Sequence, residues 1–240
     1  MPKSREISGR RAARTALADI LAAVAVLAGL VYGAGGAGAA AAPKVTVVLG
    51  ETPTNPDPSC PENPCRGIAS VTGFQVSNDN TKLPFRVPFD GTVKSWSIVL
   101  SQPTDMQRAF FNNTFGRPPE AHLAVLKRVP RSHPAVYRLR NQSAIRVLSP
   151  YLGRTPKFRL GKPLPVRRGD VVALSVPTWA PAFAFNQDAK NVWLSSRAPG
   201  RCGPNASLKG RPQQKVNSKR VYGCRYTTAR LLYTATVVKG

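Results

Sequence analysis

Short β-strand patterns broken by proline and glycine dominate the chain after residue 42. The sequence contains 23 prolines and 19 glycines, and no stretch beyond that point sustains a proline-free helical period in its apolar residues. Proline lacks the amide hydrogen that helix interiors and central strands need, so each one limits the element around it. Only residues 105–111 suggest a short helical turn. We therefore expect an all-β domain in which less than about a tenth of the residues are helical.

Ten strands are predicted where β-branched and aromatic residues recur between turn residues. Within residues 92–100, the alternation places Trp96, Ile98 and Leu100 on one face and Ser95, Ser97 and Val99 on the other, so the first three are predicted to form the core face. Many short strands with proline- and glycine-rich connections favour a single β-sandwich, jelly-roll-like, over residues 43–240. The predicted strands are 44–49, 68–76, 92–100, 121–129, 136–140, 145–148, 157–160, 171–176, 192–195 and 226–238.

Two phrases resemble segments of secreted bacterial jelly-roll proteins. They are PFDGTV at residues 88–93 and LPVRRGDVVAL at residues 164–174. In that family the first phrase is a turn that enters a strand, and the second is a strand whose Gly-Asp turn leads into its neighbour. The resemblance concerns turn chemistry, in which glycine is free to adopt positive φ. It implies the fold and no active site.

Residues 1–42 have the layout of an export signal. Basic residues precede position 15, an apolar stretch covers residues 20–32, and small residues fill positions 33–42. Two A-x-A cleavage patterns end at Ala39 and Ala41, so the mature chain is expected to start near residues 40–42, outside the cytoplasm or in the cell envelope. An uncleaved membrane anchor is the alternative, because residues 20–42 carry no charge and are long enough to span a bilayer.

Four cysteines in an exported chain predict two disulfides. Three pairings are possible, and proximity in the sequence favours Cys60 with Cys65 and Cys202 with Cys224. The first pair would close a proline-rich loop at residues 51–65. A zinc site is not favoured, because neither cysteine spacing matches a zinc ribbon and both histidines lie elsewhere. No metal or cofactor is predicted.

The positive charge of the chain points to anionic partners. The net charge is +24 overall, from 35 basic and 11 acidic residues. Without residues 1–42, which hold five basic and two acidic residues, 30 − 9 leaves +21. Such a surplus attracts anionic cell-surface polymers or polysaccharide, with no specific nucleic acid indicated. The alternative is that the charge serves solubility alone.

One basic segment, residues 197–225, contains eight basic residues and no acid. A Cys202 to Cys224 disulfide would close it into a loop, which we predict to be the polymer-binding surface. A solvated loop without a partner is the alternative. The predicted binding residues are Lys209, Arg211, Lys215, Lys219 and Arg220.

Two further sites each have a functional and a structural interpretation. Trp179 lies between Pro177 and Pro181, where a rigid loop could present the indole to a sugar ring, as in a carbohydrate-binding module. Alternatively, Trp179 packs as satellite core. Glu120 and His122 share a face of a predicted strand, which would suit acid/base catalysis in a hydrolase or a polar pair at a sheet edge. Because nothing clusters catalytic groups, we predict a binding protein and not an enzyme.

Overall fold

The computed structural model describes residues 44–53, 55–203 and 214–240. Strands contain 47% of these residues and helices 8%, so the predicted all-β fold and low helix content are confirmed. The predicted export signal at residues 1–42 lies outside the described residues. No helix within the described ranges is long and apolar enough to cross a membrane.

The described residues form fifteen strands, one α-helix and one 3₁₀ turn. In chain order they are β1 (Thr46–Leu49), β2 (Ile68–Asn78), β3 (Thr81–Lys82), β4 (Gly91–Ile98), α1 (Asp105–Phe115), β5 (Glu120–Arg128), β6 (Val136–Gln142), β7 (Arg146–Val147), the 3₁₀ turn (Ser149–Tyr151), β8 (Lys157–Val166), β9 (Val171–Ala180), β10 (Phe183–Phe185), β11 (Val192–Ser195), β12 (Lys219–Val221), β13 (Cys224–Thr227), β14 (Ala229–Leu231) and β15 (Tyr233–Lys239).

Eight of these strands form the two sheets of a sandwich. One sheet has the order β1-β15-β4-β8, and the path through the larger sheet includes β6-β5-β9-β2. Among these eight, successive strands alternate between the sheets except for β5 and β6, which pair as a hairpin. This strand order is that of a jelly roll. The predicted β-sandwich is therefore confirmed, although the predicted strand at 226–238 is divided into β13, β14 and β15.

Residues 181–232, between β9 and β15, form an insert that extends the larger sheet at both edges. Strands β11 and β13 continue the sheet beyond β2, whereas β12 pairs with β6 at the opposite edge. Only Tyr222 and Gly223 separate β12 from β13, and so short a connection spans no more than about 10 Å. The two edges must therefore approach each other, so the sheet curls. Tyr222, 1% exposed, packs in the curl against Phe74 and Tyr137.

The core face predicted for residues 92–100 is confirmed, since Trp96, Ile98 and Leu100 are all buried. Each large apolar side chain removed from water contributes about 1.5 to 3 kcal/mol. Tyr233 joins the two sheets, because its hydroxyl group on β15 donates a hydrogen bond to the carbonyl oxygen of Val172 on β9 (3.0 Å).

Both predicted disulfides are present, with Cys60 bonded to Cys65 and Cys202 bonded to Cys224. The first closes residues 60–65, at the end of the proline-rich loop 51–65. The second closes the basic segment and connects it to the start of β13. Both cysteines belong to the insert, so this disulfide ties residue 202 to the strand with which the insert extends the larger sheet.

The helical turn predicted at residues 105–111 extends to Phe115 as α1. Thr104 caps its N-terminus, accepting a hydrogen bond from the Gln107 amide while the Gln107 side chain accepts one from the Thr104 amide. The helix lies against the end of β9 through Phe111, which is buried, whereas Phe110 is 58% exposed. The chain therefore covers the sandwich at this end with the apolar face of a single helix.

Candidate functional site

A concave, strongly basic surface lies where the β5–β6 hairpin, β12 and the turn between β8 and β9 meet. Its volume is about 550 Å³, and six of its nine lining residues are basic. We call it the basic cleft. The lining residues are Lys127, Arg128, Val129, Pro130, Arg138, Arg140, Arg167, Asn217 and Lys219.

Three of the cations form a row across neighbouring strands. Arg138 on β6 lies directly opposite Lys127 on β5 and, on its other side, directly opposite Lys219 on β12. Residues paired in this way project to the same face of a sheet, with Cα atoms roughly 4.5 to 5.5 Å apart. All three side chains are exposed, and none forms a salt bridge with a described carboxylate. Like charges placed opposite each other destabilise a sheet, so this row has a cost in the unliganded protein.

One buried acid lies beside the cleft and holds a fourth cation. Asp170, 3% exposed, receives hydrogen bonds from Nη1 of Arg140 at 3.0 and 3.3 Å and from the Arg167 backbone amide at 2.9 Å. Gly169, at φ +87°, allows the tight turn that places Asp170 there. The turn is connected to the start of β4, because the Arg168 amide donates to the Asp90 carboxylate (2.7 Å). The two phrases that resemble jelly-roll segments are thus in contact beside the cleft.

The segment of the insert that precedes β12 is attached to β6 by hydrogen bonds that position Lys219. The buried Gln214 side chain donates to the carbonyl oxygens of Tyr137 (3.2 Å) and Ser218 (2.8 Å). The Asn217 amide donates to the Leu139 carbonyl oxygen at 2.7 Å. Gln214 supports this segment from its buried side, so the exposed cations of the segment are held against the sheet.

The predicted binding residues of the basic segment have different positions. Lys219 lines the basic cleft. Arg220 is opposite Tyr137 and thus on the other face of β12 from Lys219. Lys215 is exposed but is not part of the cleft lining. Lys209 and Arg211 lie outside the described residues.

Sequence reasoning missed most of the cleft, namely Lys127, Arg128, Arg138, Arg140 and Arg167. A signal was present, because basic pairs flank residues 129–135 and would face one another if that segment were a hairpin turn. The contribution of Lys219 could not have been found in this way, since its strand pairs with β6 from about 80 residues further along.

Trp179 is buried in a small hydrophobic cluster beside the main core and is not exposed to solvent. It is 1% exposed, its ring stacks on Phe111 with the ring centroids 4.9 Å apart, and its indole N–H donates to Oδ1 of Asn112 (3.0 Å). The indole therefore offers no face to a sugar ring. This corrects the interpretation of Trp179 as a stacking residue of a carbohydrate-binding module.

The Glu120 and His122 pair is also unlike a working acid/base site. His122 is 1% exposed, and neither ring nitrogen has a hydrogen-bond partner of normal geometry among the described residues. Burial lowers the pKa of His122 to about 4, an effect that the Leu123 backbone only partly offsets. His122 lies opposite Ser175 inside the larger sheet. An imidazole that is inaccessible to solvent cannot reach an external substrate, so the hydrolase alternative has no support in this geometry.

No protein-family model, curated protein or solved structure matches the chain. In the described ranges, no group of three or more His, Cys, Asp or Glu side chains could hold a metal ion.

Proposed function

We propose that the mature chain is an exported, non-catalytic protein that binds anionic cell-surface polymers or polysaccharides, and that the basic cleft holds the polymer. The observation that carries this proposal is the row formed by Lys127, Arg138 and Lys219. Three exposed cations in register on adjacent strands repel one another. A polymer with closely spaced negative charges removes that repulsion and releases the counterions that it carried.

The surroundings of the cleft strengthen its attraction for anions. Among the described residues, its lining contains no acidic side chain, and the adjacent carboxylate of Asp170 is hydrogen-bonded to Arg140. The surplus of positive charge on the mature chain adds a long-range field of the same sign. Lys215 is exposed and lies on the same connection as Lys219, so it extends the proposed binding surface beyond the cleft.

A location outside the cytoplasm suits this function. The two disulfides need an oxidising environment to form and persist, and the layout of residues 1–42 is that of an export signal. Cell-surface polymers rich in phosphate, sulfate or carboxylate groups would be accessible to the protein there.

Exchange of the three cations in the row for serine tests the proposal. The triple variant Lys127→Ser/Arg138→Ser/Lys219→Ser is expected to bind dextran sulfate about tenfold more weakly near physiological salt, because it loses three contacts between cations and the polymer. Each lost contact should also reduce the slope of log affinity against log salt concentration by about 0.7. Binding can be followed by fluorescence anisotropy over a series of salt concentrations. Neutral dextran is expected not to bind.

The matched control removes the same charge from elsewhere on the surface. Lys94, Lys157 and Arg159 are exposed and lie outside the basic cleft, so Lys94→Ser/Lys157→Ser/Arg159→Ser should weaken binding less than about twofold. Equal losses in the two triple variants would show that net charge alone attracts the polymer. Salt-independent binding of neutral dextran would replace the proposal with recognition of sugar rings.

The basic segment is tested separately with Lys209→Ser/Arg211→Ser/Lys215→Ser. None of these residues lies in the described lining of the cleft, so the loss is expected to be smaller than for the cleft variant. A larger loss would move the binding surface from the cleft to the loop.

A further inference from the structure

Arg140 is held more firmly than the other cations of the basic cleft. Its Nη1 atom donates to both oxygens of the Asp170 carboxylate, and its side chain is 25% exposed. Asp170 is itself fixed, because it is buried and also accepts a hydrogen bond from the Arg167 backbone amide. The guanidinium group is therefore oriented before any ligand arrives, which reduces the entropy that binding must overcome.

The rest of the guanidinium group is available to a ligand. Within the described residues, Nε and Nη2 of Arg140 form no hydrogen bond, and the residue lines the cleft. The nitrogens of an arginine form a rigid planar fork that can donate two parallel hydrogen bonds to one oxyanion group. Asp170 thus binds one side of the guanidinium group, and the remaining N–H donors are available to a ligand in the cleft.

We infer that the basic cleft selects tetrahedral oxyanions, phosphate or sulfate, over carboxylates, and that Arg140, positioned by Asp170, is the residue that seats one. The inference rests on the proposed function and names its ligand class as a polymer bearing phosphate or sulfate groups. The lining also includes Arg128 from β5, Arg138 from β6 and Arg167 from the turn between β8 and β9. A tetrahedral phosphate can accept from donors on several sides at once, whereas a carboxylate presents two oxygens in a single plane. Four of the six cations are arginines, the side chain best suited to recognition of this kind.

Exchange of Asp170 for asparagine separates positioning from simple attraction. The substitution makes the protein more positive by one charge, so attraction alone predicts tighter binding of every polyanion. If Arg140 must be held in place, Asp170→Asn is expected to bind polyphosphate about fivefold more weakly. The affinity for poly-glutamate of matched charge should change much less. The ratio of the affinity for polyphosphate to the affinity for poly-glutamate should therefore fall.

Two further variants complete the experiment. Asp57→Asn makes the same charge change at an exposed residue outside the cleft and should leave the ratio unchanged. Arg140→Lys keeps the charge but removes the planar fork, and it should lower the ratio about as much as Asp170→Asn. If Asp170→Asn does not fold, as judged by its thermal transition, Arg140→Lys decides the question.

The inference is overturned if the wild-type protein binds poly-glutamate as tightly as polyphosphate, or if Asp170→Asn or Arg140→Lys retains the wild-type ratio. These results would leave the proposed function intact, provided that dextran sulfate binding still depends on the cation row. Failure of the wild-type protein to bind dextran sulfate, poly-glutamate and polyphosphate would instead reject the proposed function.

Discussion

Replacement of Trp179 by alanine is expected to lower the free energy of unfolding by about 3 to 5 kcal/mol. The indole is 1% exposed and packs between the end of β9 and helix α1, where it stacks on Phe111. Its removal would leave a cavity and would deprive the Asn112 side chain of the hydrogen bond that it accepts from the indole N–H. The loss of packing should also weaken the attachment of α1 to the sandwich.

Guanidinium chloride unfolding at equilibrium, followed by circular dichroism, measures this loss. Phe110 provides the matched control, since it belongs to the same helix but is 58% exposed, and Phe110→Ala should cost less than about 1 kcal/mol. A Trp179→Ala protein as stable as the control would place the indole outside the core, and the sugar-stacking interpretation would have to be reconsidered.

Acidification from pH 7 to pH 5 is expected to destabilise the protein by about 2 kcal/mol through His122. Burial lowers the pKa of His122 from the ordinary value of 6.5 to about 4 in the folded protein. As the pH falls below 6.5, the unfolded chain therefore binds a proton that the folded chain does not, and stability decreases by about 1.4 kcal/mol per pH unit. The loss is complete near pH 4, where the folded protein also becomes protonated.

Urea unfolding at a series of pH values between 7 and 5 tests this expectation. His122→Leu removes the titrating group from a buried position, so its stability should depend much less on pH in that range. The chain has only one other histidine, His133, which is exposed, and His133→Gln should retain the wild-type dependence. If His122→Leu loses stability on acidification as steeply as the wild type, another group causes the effect.

Much of the sandwich could be predicted because its signals are local. Alternation in residues 92–100 predicted the buried face formed by Trp96, Ile98 and Leu100. The glycine and aspartate of the RRGD phrase predicted the turn between β8 and β9. Proximity along the chain predicted both disulfides, since a short separation keeps the two thiols of a pair close even before folding.

The site was predicted less well, because the burial of each misinterpreted side chain depends on the element that packs against it. Trp179 lies between prolines, which suggested a rigid exposed loop, yet α1 covers it from about 70 residues earlier in the chain. His122 follows Glu120 in a pattern that suits a polar edge, but β5 lies within the larger sheet between β6 and β9. Burial of a single side chain cannot be inferred from its own strand when the covering element is distant.

The sequence by itself determined the all-β class, the turns, the disulfide partners and the excess of positive charge, since each follows from residues that are neighbours in the chain or from composition. Only the tertiary structure decided where that charge is concentrated. The curl of the larger sheet brings β12 of the insert against β6, and only then do Lys127, Arg138 and Lys219 form a row beside the Asp170 to Arg140 pair. Strand register between distant segments depends on how the whole sheet closes, because each strand can pair with several partners until packing selects one.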